Sequence, residues 1–186
     1  IDGVCLDWSQ GFNAWATHYK HLTLKEDSHL IFDVAERFED NEDLIPFELV
    51  HQFNNSDFIS MLEPWPGAEE YVAKLVEDGY TFHAITSVGS NPKVKENRRA
   101  NLEAIFGDDT FVSVECLSVF ESKAKSLLPY KDTGCYWVED NLNNALIGHR
   151  LGLNAVLMND STNIDDNDPR IPRVEWDLMY DMISND

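Results

Sequence analysis

Four polar points in this 186-residue chain fall where apolar, strand-like runs should end. They are Asp2 at the start, Thr86-Ser87, Lys123 at the entry to a short helical pattern, and Glu139-Asp140. Phosphoryl transfer to a carboxylate nucleophile needs groups of these kinds. A hydroxyl and an ammonium hold the phosphate oxygens, and acidic residues bind a Mg²⁺ that neutralises the developing charge. Clustered carboxylates repel one another unless a cation sits among them. Mg²⁺ suits such oxygen-only ligation and keeps several waters. Each point also has a plainer reading. Asp2-Gly3 suits a turn, Thr86-Ser87 a helix cap, and Glu139-Asp140 an acidic helix start. Lys123 reads equally as a solvated side chain, with Lys125 a rival for its role. The order and spacing of the four together are far more specific than any one.

The elements that must position these groups follow from periodicity. Ala68, Tyr71, Val72, Leu75 and Val76 repeat at helical spacing between Pro66-Gly67 and Gly79. Residues 80–85 then read as a buried strand. Asn91-Pro92 opens a helix carrying Val94, Leu102, Ile105 and Phe106, stopped by Gly107. Strands are expected over 111–114, 135–138 and 155–158, with helices over 122–128 and from Leu142 to Gly152. This alternation predicts an α/β fold, a Rossmann-like parallel sheet with flanking helices. Ligands in such sheets bind outside the carboxyl ends of the strands. Residues 9–63 differ: Phe12, Trp15, Ala16 and Tyr19 recur at helical spacing, as do Leu30, Ile31, Val34 and Phe38. The expected organisation is a core of residues 1–8 and 64–186 with a small helical cap, 9–63, inserted after the first strand. Residues 159–173 read as a loop before a terminal amphipathic helix with Val174, Leu178, Met179 and Met182.

Ile1-Asp2-Gly3-Val4 reads as the second half of an Asp-x-Asp-Gly-Val loop. With Thr or Ser, Lys and paired acids following in order, the sequence resembles the haloacid-dehalogenase-like (HAD) hydrolase superfamily. The segments 2–8 (Asp-Gly-Val-Cys-Leu-Asp-Trp) and 61–68 (Met-Leu-Glu-Pro-Trp-Pro-Gly-Ala), with Ala84-Ile85-Thr86-Ser87, are similar to those of 5′(3′)-deoxyribonucleotidases. The resemblance covers almost the whole chain, weakly through the helical lobe. It implies a Mg²⁺-dependent phosphatase that hydrolyses nucleoside monophosphates through a phospho-aspartate. Asp2 is then the general acid/base and offers its carbonyl to Mg²⁺, Thr86 and the Ser87 N–H bind phosphate, and Lys123 ties nucleophile to phosphate. Asp140 ligates Mg²⁺, with Glu139 beside it or behind it. The lysine lies farther ahead of the paired acids than in the nucleotidases, which leaves Lys123 and Lys125 both open. The nucleophile falls one position before Ile1. A central first strand that is lacking exposes two unpaired edges and a void, so the polypeptide is expected to extend upstream. Other expectations within reach are a HAD phosphatase for a different small metabolite and a non-catalytic binding protein of the same fold.

The cap would close over the site and exclude water. The resemblance puts Trp8 against the base, and Phe47 and Phe58 are further stacking candidates; stacking contributes about 1–3 kcal/mol per base in single-strand sites. Most aromatics of so small a lobe are core in any case. The net charge of −20 argues against a nucleic-acid polymer or an anionic membrane as partner. It leaves a small phosphomonoester as substrate if a divalent cation screens it, and leaves a homodimer open. Cys5, Cys116 and Cys135 form no metal-ligand spacing and predict reduced thiols in a cytoplasmic protein. His18, His21, His29 and His51 lack a zinc pattern, and Arg98-Arg99 reads as solvated surface.

Overall fold

Short polar side chains cap three of the helices, each a few residues past a candidate site residue. The computed structural model describes residues 1–39 and 42–185. Helix α1 (Trp8–Lys20) is capped by Asp7, whose carboxylate accepts from the Gln10 N–H. Helices α2 (Pro46–Asn54) and α3 (Ala68–Glu77) precede strand β1 (Phe82–Thr86). Helix α4 (Pro92–Phe106) is capped by Asn91 and has proline in its first turn, where the missing N–H costs nothing. Strand β2 (Phe111–Cys116) and the single-turn α5 (Ala124–Leu127) follow. Strand β3 (Tyr136–Glu139) leads into α6 (Leu142–Arg150), capped by Asn141. Strands β4 (Asn154–Met158) and β5 (Arg173–Val174) and helix α7 (Trp176–Ser184) complete the chain.

The architecture is mixed α/β with two small parallel sheets and flanking helices. β1 pairs with β2, and β3, β4 and β5 lie side by side in that order, every pairing parallel. Helix α4 packs on β2, α6 on β3 and β4, and α3 on α7. One apolar core runs from α1 and α2 through α3, α4 and α7; a second joins β3, β4 and α6.

Between β1 and β3 lies a cavity of about 520 Å³. Both strands line it, with Leu75, Trp176, Met179 and Ile183 along one wall and Ile1, Val4 and Cys5 at one end. Among the described residues neither strand has another strand on the side that faces this slot. Residues 1–6 form a tight loop rather than a strand. The Ile1 carbonyl accepts from the N–H groups of Val4, Cys5 and Leu6, and the Trp176 indole N–H anchors the loop through the Val4 carbonyl at 2.7 Å.

Two expectations need correction. Residues 30–38 do not form a helix: a single 3-10 turn, Ser28–Leu30, is followed by turns, and Phe38 bridges back to Leu24. The Asp33 carboxylate accepts from the Ala35 N–H, a local bond that competes with helix continuation. The segment 159–173 is also more than a loop. Asp160 and Asn163 cap each other around the turn Ser161–Asn163, and the Leu157 N–H bonds the Pro172 carbonyl to start β5.

Helix α6 approaches β3 closely because of Gly148: a Cβ there would stand well inside contact distance of the buried Trp137 indole. Gly148→Ala is therefore expected to destabilise the fold by about 1–3 kcal/mol through overpacking. Urea denaturation measures it, and an unchanged midpoint would contradict so tight a crossing.

Candidate active site

The caps remove two of the plainer explanations. Helix α4 is capped by Asn91 and not by Thr86 or Ser87, and α6 by Asn141 and not by Glu139 or Asp140. Helix capping therefore occupies none of these side chains at the carboxyl ends of β1 and β3.

The Thr86 hydroxyl donates to Asp2 Oδ2 at 2.9 Å, so the end of β1 meets the first loop. Asp140, next after β3, meets the same loop from the other side. A Cβ on Gly3 would stand 2.8 Å from Asp140 Oδ2, and Gly3 has a φ of +66°, so this position suits glycine on both counts. The loop 1–6 thus sits between the carboxyl ends of the two strands that flank the slot. Lys123 reaches the cluster from the entry to α5. Its ammonium donates to Glu139 Oε1 and lies over the Trp137 ring, and both partners of the pair are buried. Lys125 is exposed. The structure therefore joins Asp2, Thr86, Lys123, Glu139 and Asp140 around one point, with half-buried Ser87 beside them.

Burial, and then the neighbouring Glu139 carboxylate, push the Asp140 carboxyl up to about 7, with Asp2 adding to the push. Such a group favours a cation next to it. Among the described residues no three His, Cys, Asp or Glu side chains gather as a ready-made metal cage. The donor set still fits magnesium, which is commonly held by one or two carboxylates together with waters and substrate oxygens. Asp140 and the Asp2 carbonyl are the candidate ligands. Glu139 is committed to Lys123, which favours a place behind the ligands rather than among them.

Two further residues carry this site, and the sequence reading missed both. Arg98 was expected on the surface; it is fully buried, and Nη2 donates to Asp2 Oδ1 at 2.7 Å. The signal was available, because Val94, Arg98 and Leu102 share one helical stripe. Only Arg99, paired with Glu103, matches the expectation. Asn163 was hidden in the supposed loop. Its amide donates to the carbonyls of Asp140 and Met158 at 2.8 and 2.9 Å and is itself held by Arg173.

The aromatic candidates separate. The Trp8 ring stacks on Phe12 at 4.9 Å, and its N–H donates to Asn54 Oδ1 at 2.8 Å, which ties α1 to α2. Phe47, 46% exposed, stacks at 5.3 Å on Phe120, which is 81% exposed in the loop between β2 and Lys123. That contact links the lobe to the rim of the site. Phe58 is not brought there: it packs on Tyr19 and lines a separate cavity of about 490 Å³ beside α1.

Two predictions follow from burial. Lys123→Met leaves Glu139 buried and unpaired and is expected to cost about 3–5 kcal/mol, whereas Lys125→Met stays within about 0.5 kcal/mol; chemical denaturation separates them. Burial pushes the Cys5 thiol up to about 11 and raises Cys116 as well, while Cys135 is exposed. Iodoacetamide at pH 8 should then add once to the native protein, at Cys135, and intact mass reads the count; adducts at all three would contradict the burial.

No protein-family profile matches the chain. Over 110 residues, 57% of the chain, it is 34% identical to an uncharacterized 32.4 kDa protein in the Gp30-rIII intergenic region of Enterobacteria phage T4. The match spans 39% of that protein, so the chain corresponds to well under half of this relative's length.

Proposed function

We propose that the protein is a Mg²⁺-dependent phosphomonoesterase of the haloacid-dehalogenase-like type, acting on nucleoside monophosphates and closest to the 5′(3′)-deoxyribonucleotidases. The observation that carries this proposal is the convergence of Asp2, Thr86, Lys123, Glu139 and Asp140 at the carboxyl ends of β1 and β3, from four separate stretches of sequence. Ligands of parallel α/β sheets bind at that edge. The absence of a helix long and apolar enough to cross a membrane, among the described residues, is compatible with a small dissolved substrate.

The proposed nucleophile is a carboxylate one residue before Ile1, delivered by a strand lying in the slot between β1 and β3. Its oxygen attacks phosphorus, the ester P–O bond breaks, and Asp2 gives its proton to the departing alkoxide. Water then attacks the aspartyl phosphate; Asp2 takes the water's proton, and inorganic phosphate leaves. Thr86 holds a phosphate oxygen by turning its hydroxyl from Asp2 to the substrate, and the Ser87 N–H supports it. Lys123, steadied by Glu139, spans nucleophile and phosphate. Asp140 and the Asp2 carbonyl would hold a magnesium ion, which would supply charge neutralisation for the phosphoryl group. The Phe47 ring, half-open and stacked on Phe120, is suited to one face of a base; Trp8 packs on Phe12 and ties α1 to α2.

Phosphate release from a panel of phosphomonoesters, measured with a polypeptide extended upstream of Ile1, tests this. Deoxynucleoside monophosphates should be hydrolysed faster than sugar phosphates, and a chelator should abolish the activity. Equal rates on both classes would remove the nucleotide preference and favour a phosphatase for another metabolite. A folded protein inert to every ester would favour a binding role.

A further inference from the structure

The buried guanidinium behind Asp2 has a role that the substrate-facing residues do not explain. Arg98 is fully buried, and among the described residues Asp2 is its only carboxylate partner. Its Nε and Nη1 find no hydrogen-bond partner among the described residues, so its charge rests on that single contact. A guanidinium only donates, and one left without its anion in the interior is strongly unfavourable. The two Asp2 oxygens are therefore held by different kinds of donor. Oδ1 faces Arg98, which cannot turn away without stranding a charge; Oδ2 faces the Thr86 hydroxyl, a rotor that can release it. Thr86 ends β1 and Arg98 lies one helical stripe into α4, so one β-α unit carries both grips.

We propose that Arg98 is the positioning residue of this site: it pins Asp2 by Oδ1 and leaves Oδ2 as the one oxygen that exchanges a proton with leaving group and water. This rests on the phosphatase proposal for its chemistry, while the pinning itself rests on the ion pair alone. Arg98 touches neither substrate nor metal, so its effect falls on turnover and not on binding.

Two measurements on the full polypeptide test it together. In urea unfolding, Asp2→Asn should lower the midpoint sharply, and Arg98→Met added to Asp2→Asn should bring it partly back, because the second change removes the stranded charge. In phosphate release, Arg98→Met should lower kcat about 100-fold with KM changed less than about threefold, the scale of a displaced catalytic group. Arg98→Lys, which keeps the cation, should recover at least a tenth of the wild-type kcat. Additive losses in the unfolding cycle would overturn the pinning whether or not the protein is an enzyme. A folded Arg98→Met variant with wild-type kcat would overturn the positioning role. A wild-type protein inert to all phosphomonoesters would sink the phosphatase proposal, and the unfolding cycle would still decide whether Arg98 holds Asp2.

Discussion

Carboxylates crowded together at the carboxyl ends of β1 and β3 are the constraint on which the rest of the site depends. Asp2 and Asp140 are half-buried and Glu139 is buried around a six-residue loop, and each calls for a cation or a hydrogen-bond donor. The chain meets this with two cations drawn inward from a small supply. The chain has 14 Lys and Arg against 34 Asp and Glu, and it commits two of those cations here, Arg98 against Asp2 and Lys123 against Glu139, at the cost of desolvating them. Among the described residues Asp140 forms no ion pair, and burial, then the Glu139 carboxylate, raises its proton affinity. The divalent cation proposed for the site would offset that crowding of like charge.

The backbone around the cluster is organised to keep the loop in place. Trp176 fixes the loop from below through the Val4 carbonyl, and Asn163 fixes the turn after β3 through the Asp140 carbonyl. Glycine at position 3 lets the two approach without a side chain between them. The slot between β1 and β3 ends at this loop. A strand lying in it parallel to both neighbours would join the two small sheets into one and deliver its last residue beside Thr86 and Asp140. Helices α1 and α2 share the core of α3, α4 and α7, with α1 starting six residues after Asp2 and the Phe47–Phe120 contact joining α2 to the loop before Lys123.

Much of the core was legible in the sequence. The βα alternation from Gly67 onward appears with boundaries shifted by one or two residues, because Gly79, Gly107 and Gly152 end helices where only the backbone decides. The polar points at strand ends were also readable, since they interrupt apolar runs. Three things were not. The 30–38 stretch has helical spacing, yet Asp33 bonds its own backbone and ends the pattern. The two-residue β5 is too short to leave a periodic trace. Arg98 was misread because a charged residue is taken for surface by default, even on an apolar stripe; its partner lies 96 residues away, and no local rule shows it.

The most direct test of the central claim is to quench turnover in acid and map any phosphoryl group by mass spectrometry. A polypeptide extending past Ile1, incubated with Mg²⁺ and a labelled deoxynucleoside monophosphate, should carry a hydroxylamine-sensitive phosphoryl group on an aspartate one residue before Ile1. A phosphoryl group on any other residue, or phosphate release with no covalent adduct at any time point, would contradict the account.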